Sequence, residues 1–275
     1  MKSIGFIGYG QMNSMLVEGF LQTSALNPED IIISTRTREK VNPLLERYPE
    51  IRIASCNSEV AEKADLIIIG VKPLEVAGII KEINGIRGNE IHIISLAACV
   101  STDLLAQTHP GKVTRILPSV CSTVGEGITL CYHHHRVDPD SAKYVEELFA
   151  AISTVKLVKE DLFEPAGDLM SCAPAFLSRI FLEFALAGSR HSTLTLNECL
   201  EMVVSTAFGT ALMLQEGVEP EDLIRRVATP GGITEEGVKM LESDLPVMFD
   251  RLFETTLAKY DLVKSRVAET VRKTP

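Results

Sequence analysis

Ile4-Gly5-Phe6-Ile7-Gly8-Tyr9-Gly10-Gln11-Met12-Asn13 reads as a short apolar strand, a Gly-x-Gly turn and the start of a helix that continues through Ser14-Met15-Leu16-Val17. In such a strand–turn–helix unit Gly8 permits the tight turn. Gly10 lets the backbone approach a pyrophosphate seated on the helix N-terminus, next to Gln11 and Met12. The third fingerprint position holds Asn13 where Gly or Ala is usual, so a larger side chain is expected to crowd helix against strand. A lone glycine motif is weak evidence; its context, a strand before and a helix and second strand after, makes it a dinucleotide site.

Outward from this unit, short β-rich runs alternate with helical patterns. Ile31–Ile33, Leu66–Ile69, Ile91–Leu96 and Val113–Leu117 are apolar on both faces, as strands of a parallel sheet covered by helices must be. Leu130 and Thr154–Val158 add two strand candidates, with a helix over Ser141–Ile152 between them. A doubly wound α/β Rossmann domain over residues 1–159 follows. Beyond it the strand signals stop. Phe176–Ala187, Asn197–Gln215, Glu235–Leu241 and Leu245–Lys264 read as helices, giving an all-α C-terminal domain over 160–275. Helices apolar on most faces are buried on most faces, so a homodimer or higher homo-oligomer through these helices is expected.

The end of the second strand bears on the choice of nicotinamide. A ribose 2′-hydroxyl is usually met there by Asp or Glu, whereas a 2′-phosphate needs a cation and hydroxyl donors. The chain reads Ser34-Thr35-Arg36-Thr37-Arg38, with no acid before Glu39. Arg36 can meet a phosphate with its two-pronged guanidinium, and Arg38 is read as solvated. NADP(H) is therefore preferred, with NAD(H) possible.

The formal net charge is −10 and basic residues are not clustered, which argues against a nucleic-acid partner. No charged and apolar leader opens the sequence, and no run of about 18 apolar residues is read, so neither export nor membrane insertion is expected and the location is read as cytoplasmic. The six cysteines show no paired spacing and are read as reduced, buried thiols. Neighbouring residues of a strand face opposite ways, so His133-His134-His135 cannot converge on one ion, and no metal site is read. Asp161, Glu164 and Asp168 fall on one helix face, read as solvated.

A second candidate site is Ala228-Thr229-Pro230-Gly231-Gly232-Ile233-Thr234. A Pro-Gly-Gly turn precedes a helix, with Thr234 read as its N-cap and Glu235 and Glu236 in the first turn. Backbone N–H groups beside hydroxyls could hold a small carboxylate; a plain capped helix fits these residues equally well.

Four segments together resemble the pyrroline-5-carboxylate reductase family: Gly5–Met12, Gly70-Val71-Lys72-Pro73, Val124-Gly125-Glu126-Gly127 and Thr229–Thr234. Their order and spacing match over residues 1 to about 265. The resemblance implies a Rossmann domain, a helical domain interleaved with a second subunit, and reduction of 1-pyrroline-5-carboxylate to proline with NAD(P)H. It implies that Thr229, Gly232 and Thr234 bind the imino acid, with the Thr234 hydroxyl facing the ring nitrogen as the catalytic contact. Val71, Lys72 and Pro73 would pass near the nicotinamide ribose and Asn57 near the adenine ribose, with Ser34 beside Arg36.

Three stretches depart from the family pattern. Leu117-Pro118-Ser119-Val120-Cys121 stands where the family has Met-Pro-Asn-Thr-Pro. Met170-Ser171-Cys172-Ala173-Pro174-Ala175 replaces Ser-Gly-Ser-Gly-Pro-Ala, and Ile233 replaces a Thr. Ser119 and Cys172 thereby take expected substrate positions; Cys121 and Cys172 are read as buried small residues rather than reactive thiols. These departures are similar to those of the ComER-type late-competence paralogues. They leave open a reductase with a changed imine or carbonyl substrate and a non-catalytic NADP-binding regulator.

Overall fold

A computed structural model describes residues 2–273. Its eight strands are β1 (Ile4–Ile7), β2 (Ile31–Ser34), β3 (Arg52–Ile53), β4 (Leu66–Ile69), β5 (His92–Ser95), β6 (Lys112–Leu117), β7 (Gly127–His133) and β8 (Ser153–Leu157). They form one sheet in the order β3-β2-β1-β4-β5-β6-β7-β8. Strands β1 to β6 pair in parallel, β7 runs antiparallel to β6, and β8 is parallel to β7. The helices are α1 (Gln11–Gln22), α2 (Asn42–Arg47), α3 (Asn57–Lys63), α4 (Pro73–Ile83), α5 (Thr102–Ala106), α6 (Pro139–Ala150), α7 (Phe163–Gly167), α8 (Ala173–Arg190), α9 (Leu196–Gln215), α10 (Pro220–Val227) and α11 (Ile233–Lys273).

The period-2 alternation of the strands sorts the core into two layers. Ile4 and Phe6 of β1 and Leu66 and Ile68 of β4 pack with Leu16, Phe20, Val145 and Phe149, from α1 and α6. Ile7, Ile67 and Ile69 face the other way, onto Val60, Val76 and Ile80 of α3 and α4, together with Val267 near the end of α11. Each layer therefore removes one face of the apolar strands from water, which is the main stabilising contribution.

Two compact units result. The first comprises the residues up to Cys172 and those from Thr256 onward; the second is Ala173–Thr255. This division differs from the expected boundary at 159/160, because the segment after Lys159 is tied to the sheet by buried charge. Glu164 and Asp168, expected on a solvated face, are both buried. The Glu164 carboxylate lies 2.9 Å from Arg115 Nη2 of β6 and 3.0 Å from Lys264 Nζ of α11. Burial pushes its carboxyl up, and the hydrogen bonds from Arg115 and Lys264 more than offset that, holding it below the ordinary range. Asp168 accepts from the hydroxyls of Thr256 and Tyr260. Helical spacing alone does not reveal which face of a helix meets a buried arginine.

Other expectations change in detail. The Leu130 strand spans Gly127–His133, and the short, half-polar β3 escaped pattern reading. The two helices expected around residue 245 are one, with Pro246 inside it; the turn there is exposed, where water can take the carbonyl that proline leaves without a donor. Of the cysteines, Cys99, Cys131 and Cys199 are buried, Cys121 and Cys172 half-buried and Cys56 exposed.

Within the second unit the only buried residues among those described are Ala185 and Cys199. Large apolar side chains such as Phe184, Met202, Phe208 and Val247 are exposed. The helical run Glu160–Arg190 is also long and apolar enough to cross a membrane, with mean hydropathy 1.5 over its best window, contrary to the expectation that no such stretch exists. Glu164 and Asp168 near its start are held in the first unit by hydrogen bonds, and its remaining apolar face is of the kind helices bury against one another.

Candidate functional site

The turn after β1 is built as the glycine spacing suggested. Gly8 has φ +83°, and a Cβ there would meet Val71 Cγ1 at 2.7 Å and the Gly70 carbonyl oxygen at 2.9 Å. Only glycine combines that backbone with that contact. Its N–H donates to the Ser34 carbonyl at 2.8 Å, which joins the turn to the end of β2. Gly10 sits at the N-cap of α1 with no capping side chain and no acid in the first turn, and a Cβ there would meet nothing within 4 Å. The first N–H groups of α1 are thus left for an anion.

Asn13 does not crowd helix against strand. It is fully buried, and its Nδ2 donates to the carbonyls of Ile7 (3.2 Å) and Gly8 (2.6 Å). Room for it comes from Gly70, where a Cβ would lie 2.5 Å from the Asn13 amide carbon. Asn13 braces the turn from behind.

In front of the turn lies a cleft of about 890 Å³, at the point where the strand order reverses between β1 and β4. Open α/β sheets bind their ligands there. Gly8, Gly10, Ser34, Arg36, Asn57, Val71 and Lys72 all line it. Gln11, Met12 and Pro73 are not among the lining residues: Gln11 is exposed at the start of α1, Met12 packs against the core and Pro73 opens α4. Arg38, read as solvated, is exposed and also reaches the cleft wall. Ser34 Oγ donates to Asn57 Oδ1 at 2.7 Å, and Asn57 Nδ2 donates to Glu82 Oε2 at 2.8 Å. Arg36 Nη1 lies 3.0 Å from Glu75 Oε1. The dimensions, the open helix N-terminus and the cation at the far end fit a dinucleotide with a 2′-phosphate.

Sequence reasoning passed over Glu75 and Glu82. The signal for Glu75 was present: it stands three residues after Lys72 at a helix start, the spacing of a capping box, and its carboxylate accepts the Lys72 N–H at 3.3 Å.

The expected substrate residues divide between the units. In the first, Ser119 is buried, and its hydroxyl donates to the Met170 carbonyl at 2.9 Å while accepting the Cys121 N–H. Its hydroxyl proton is thus committed to the fold, and one lone pair of Oγ is left for a further contact. The Cys172 thiol, pushed up by burial, lies 3.4 Å from the Tyr260 hydroxyl. That shift is opposite to the one that activates a reactive thiol. In the second unit the Gly232 N–H donates to the Thr229 carbonyl at 2.8 Å, and Gly231 N–H to Glu235 Oε2 at 2.8 Å. Helix α11 starts at Ile233, so Thr234 lies inside its first turn and is not the N-cap; Gly232 takes that place. Thr229 and Thr234 are exposed, and the Ile233 side chain is 95% exposed.

Comparison with known proteins bears on both units. Residues 160–262 match the family model for pyrroline-5-carboxylate reductase dimerisation, and residues 3–98 match one described as NADP oxidoreductase, coenzyme F420-dependent. The chain is 34% identical to pyrroline-5-carboxylate reductase 3 of Bacillus subtilis, over 98% of this chain and 99% of that one. It is 30% identical to ComE operon protein 4 of the same organism, over 94% and 95%. Among solved structures, pyrroline-5-carboxylate reductase of Coxiella burnetii superposes with a TM-score of 0.81 at 27% identity, covering 98% of both chains.

Proposed function

The chain belongs to the pyrroline-5-carboxylate reductase family, and from that premise we propose that it is an NADPH-dependent reductase of a small cyclic imino acid, most specifically 1-pyrroline-5-carboxylate, which it converts to proline in the cytoplasm. The observation that carries the reading is the cleft at Gly8 and Gly10, which runs to Ser34 and Arg36 with no acid at the end of β2. The bound nicotinamide would supply a hydride to ring carbon C5. The C=N electron pair then moves to nitrogen, and with the proton already carried by the iminium the product is a secondary amine.

The protein's own tasks are modest, because a protonated imine is already an electrophile. The residues hold cofactor and ring in register and anchor the carboxylate. Gly8, Gly10 and the first turn of α1 seat the pyrophosphate, and Asn57, Ser34 and Arg36 face the phosphorylated ribose. Gln11, Met12 and Pro73 act indirectly, by fixing the helix starts. At the other site the N–H groups of Gly231 and Gly232 are already used, so the carboxylate falls to the next N–H groups of α11, with Thr229 and Thr234 supplying hydroxyls. Residues 160–275 serve as the dimerisation and substrate region: within them the helical unit Ala173–Thr255, whose described residues include only Ala185 and Cys199 as buried, completes its core against a second copy.

A second reading keeps the chemistry and changes the imine. The Ser119 hydroxyl proton is already given to the Met170 carbonyl, Ile233 projects an apolar side chain beside Thr234, and the chain is also like ComE operon protein 4. NADPH oxidation followed by absorbance, with 1-pyrroline-5-carboxylate and a panel of other cyclic imines, separates the two. Turnover on the order of 1 s⁻¹ with the five-membered acid supports the first reading. Clear preference for another imine establishes the second, and binding of cofactor with no turnover on any imine refutes both in favour of a regulator. In the active case Thr234→Ala should cost about 10²-fold in kcat, the scale of one transition-state hydrogen bond; unchanged kinetics would remove Thr234 from the mechanism.

A further inference from the structure

The ribose end of the cleft is not simply basic. Arg36 and Lys40 line it, but so do Glu39, Glu75 and Glu82. Of these carboxylates Glu75 is the one held at both oxygens. Oε1 lies 3.0 Å from Arg36 Nη1, and Oε2 accepts the Lys72 N–H at 3.3 Å. The second bond ties the side chain to the start of α4 and favours this position beside Arg36. Arg36, by contrast, is 85% exposed and is held by this one partner.

A single guanidinium edge cannot serve two anions at full strength. A 2′-phosphate carries about −1.5 to −2 charges at neutral pH, and it must both compete with Glu75 for Arg36 and lie near the Glu75 charge. A neutral ribose 2′-hydroxyl meets no such opposition. It needs an acceptor, which β2 does not end on and a carboxylate from the β4–α4 turn can supply.

We propose that Glu75 sets the cofactor preference of this protein, holding Arg36 in reserve and narrowing the advantage of NADPH over NADH, so that the site accepts both. The proposal rests on Arg36 as the phosphate contact and adds the residue that opposes it.

Glu75→Gln isolates the effect, since glutamine at this helix position accepts the same N–H while losing the charge. Calorimetric titration of the full-length protein with NADP⁺ and with NAD⁺ gives the two dissociation constants for the parent, Glu75→Gln and Arg36→Ala. The readout is their ratio, which a merely structural change in α4 leaves alone because it weakens both cofactors together. Glu75→Gln should raise the preference for NADP⁺ by about tenfold, equivalent to about 1.4 kcal/mol, and Arg36→Ala should lower it by at least as much. A ratio unmoved or lowered by Glu75→Gln, with Arg36→Ala behaving as expected, overturns the proposal and leaves the phosphate contact standing. A ratio unmoved by Arg36→Ala overturns the phosphate contact itself.

Discussion

Gly70→Ala should destabilise the protein, and Asn13→Ala should relieve part of that damage. A methyl at residue 70 would lie 2.5 Å from Cγ and Nδ2 of Asn13 and 2.6 Å from its Oδ1. Ordinary carbon contacts are about 3.5–4.0 Å, so the overlap is about 1 Å. Asn13 has no free direction in which to retreat, being buried and tied by its amide to Ile7 and Gly8. Overpacking of this kind costs about 1–3 kcal/mol, and displacing the amide from a buried carbonyl adds about 1–3 kcal/mol, so a loss of about 2–6 kcal/mol is expected. Asn13→Ala alone loses the brace and leaves a small void, about 1–3 kcal/mol. In the double variant the new methyl enters that void, so the combined loss should fall short of the sum by about 1–2 kcal/mol, a coupling of the size seen between touching residues. The chain has no tryptophan, so circular dichroism in urea, at one fixed protein concentration, is the suitable probe. Strict additivity, or a Gly70→Ala protein as stable as the parent, would refute the idea that these two residues share one space.

Two further outcomes are expected. Burial beside His133 and Lys112 depresses the pKa of His92 to about 3 from its ordinary 6.5, so the unfolded chain takes up a proton that the folded one refuses. The stability from this group is present above pH 6.5 and is lost as pH falls toward 3, at up to about 1.4 kcal/mol per pH unit. Urea midpoints measured between pH 7.5 and 5 should flatten in His92→Gln, and an unchanged slope would show that this histidine is not kept neutral by the fold. Phe184 and Phe208 are 68% and 67% exposed on α8 and α9, and replacing both by Glu should give a monomer by sedimentation velocity, with an unaltered oligomer placing the interface elsewhere.

How much of this was legible in the sequence depends on the range of the interaction. The apolar runs and the Gly8–Gly10 turn are local, and a period-2 or glycine signal is enough to place them; Ser34 and Arg36 were read from the residues that end the second strand, whereas Asn57 came from the family resemblance alone. What escaped is set by partners far along the chain. Asn13 is tolerated because residue 70 has no side chain, and Glu164 is buried because Arg115 and Lys264 meet it. The Ser119 hydroxyl is occupied by a carbonyl of residue 170. None of these pairings leaves a mark in composition or spacing. Glu75 is the intermediate case: its capping position was readable from three residues away, whereas its contact with Arg36 depends on β2 and α4 being brought together by the sheet.

The participation of the last turns of α11 in the first unit has a consequence for synthesis. A ribosome releases β1 long before Val267, yet Val267 belongs to the apolar layer on Ile67 and Val76, and Lys264 neutralises the buried Glu164. Until α11 clears the exit tunnel, the nascent sheet carries an uncovered apolar patch and a half-compensated carboxylate. A chain that stops before Lys264 should therefore be cleared by proteases rather than persist as a free-standing nucleotide-binding half.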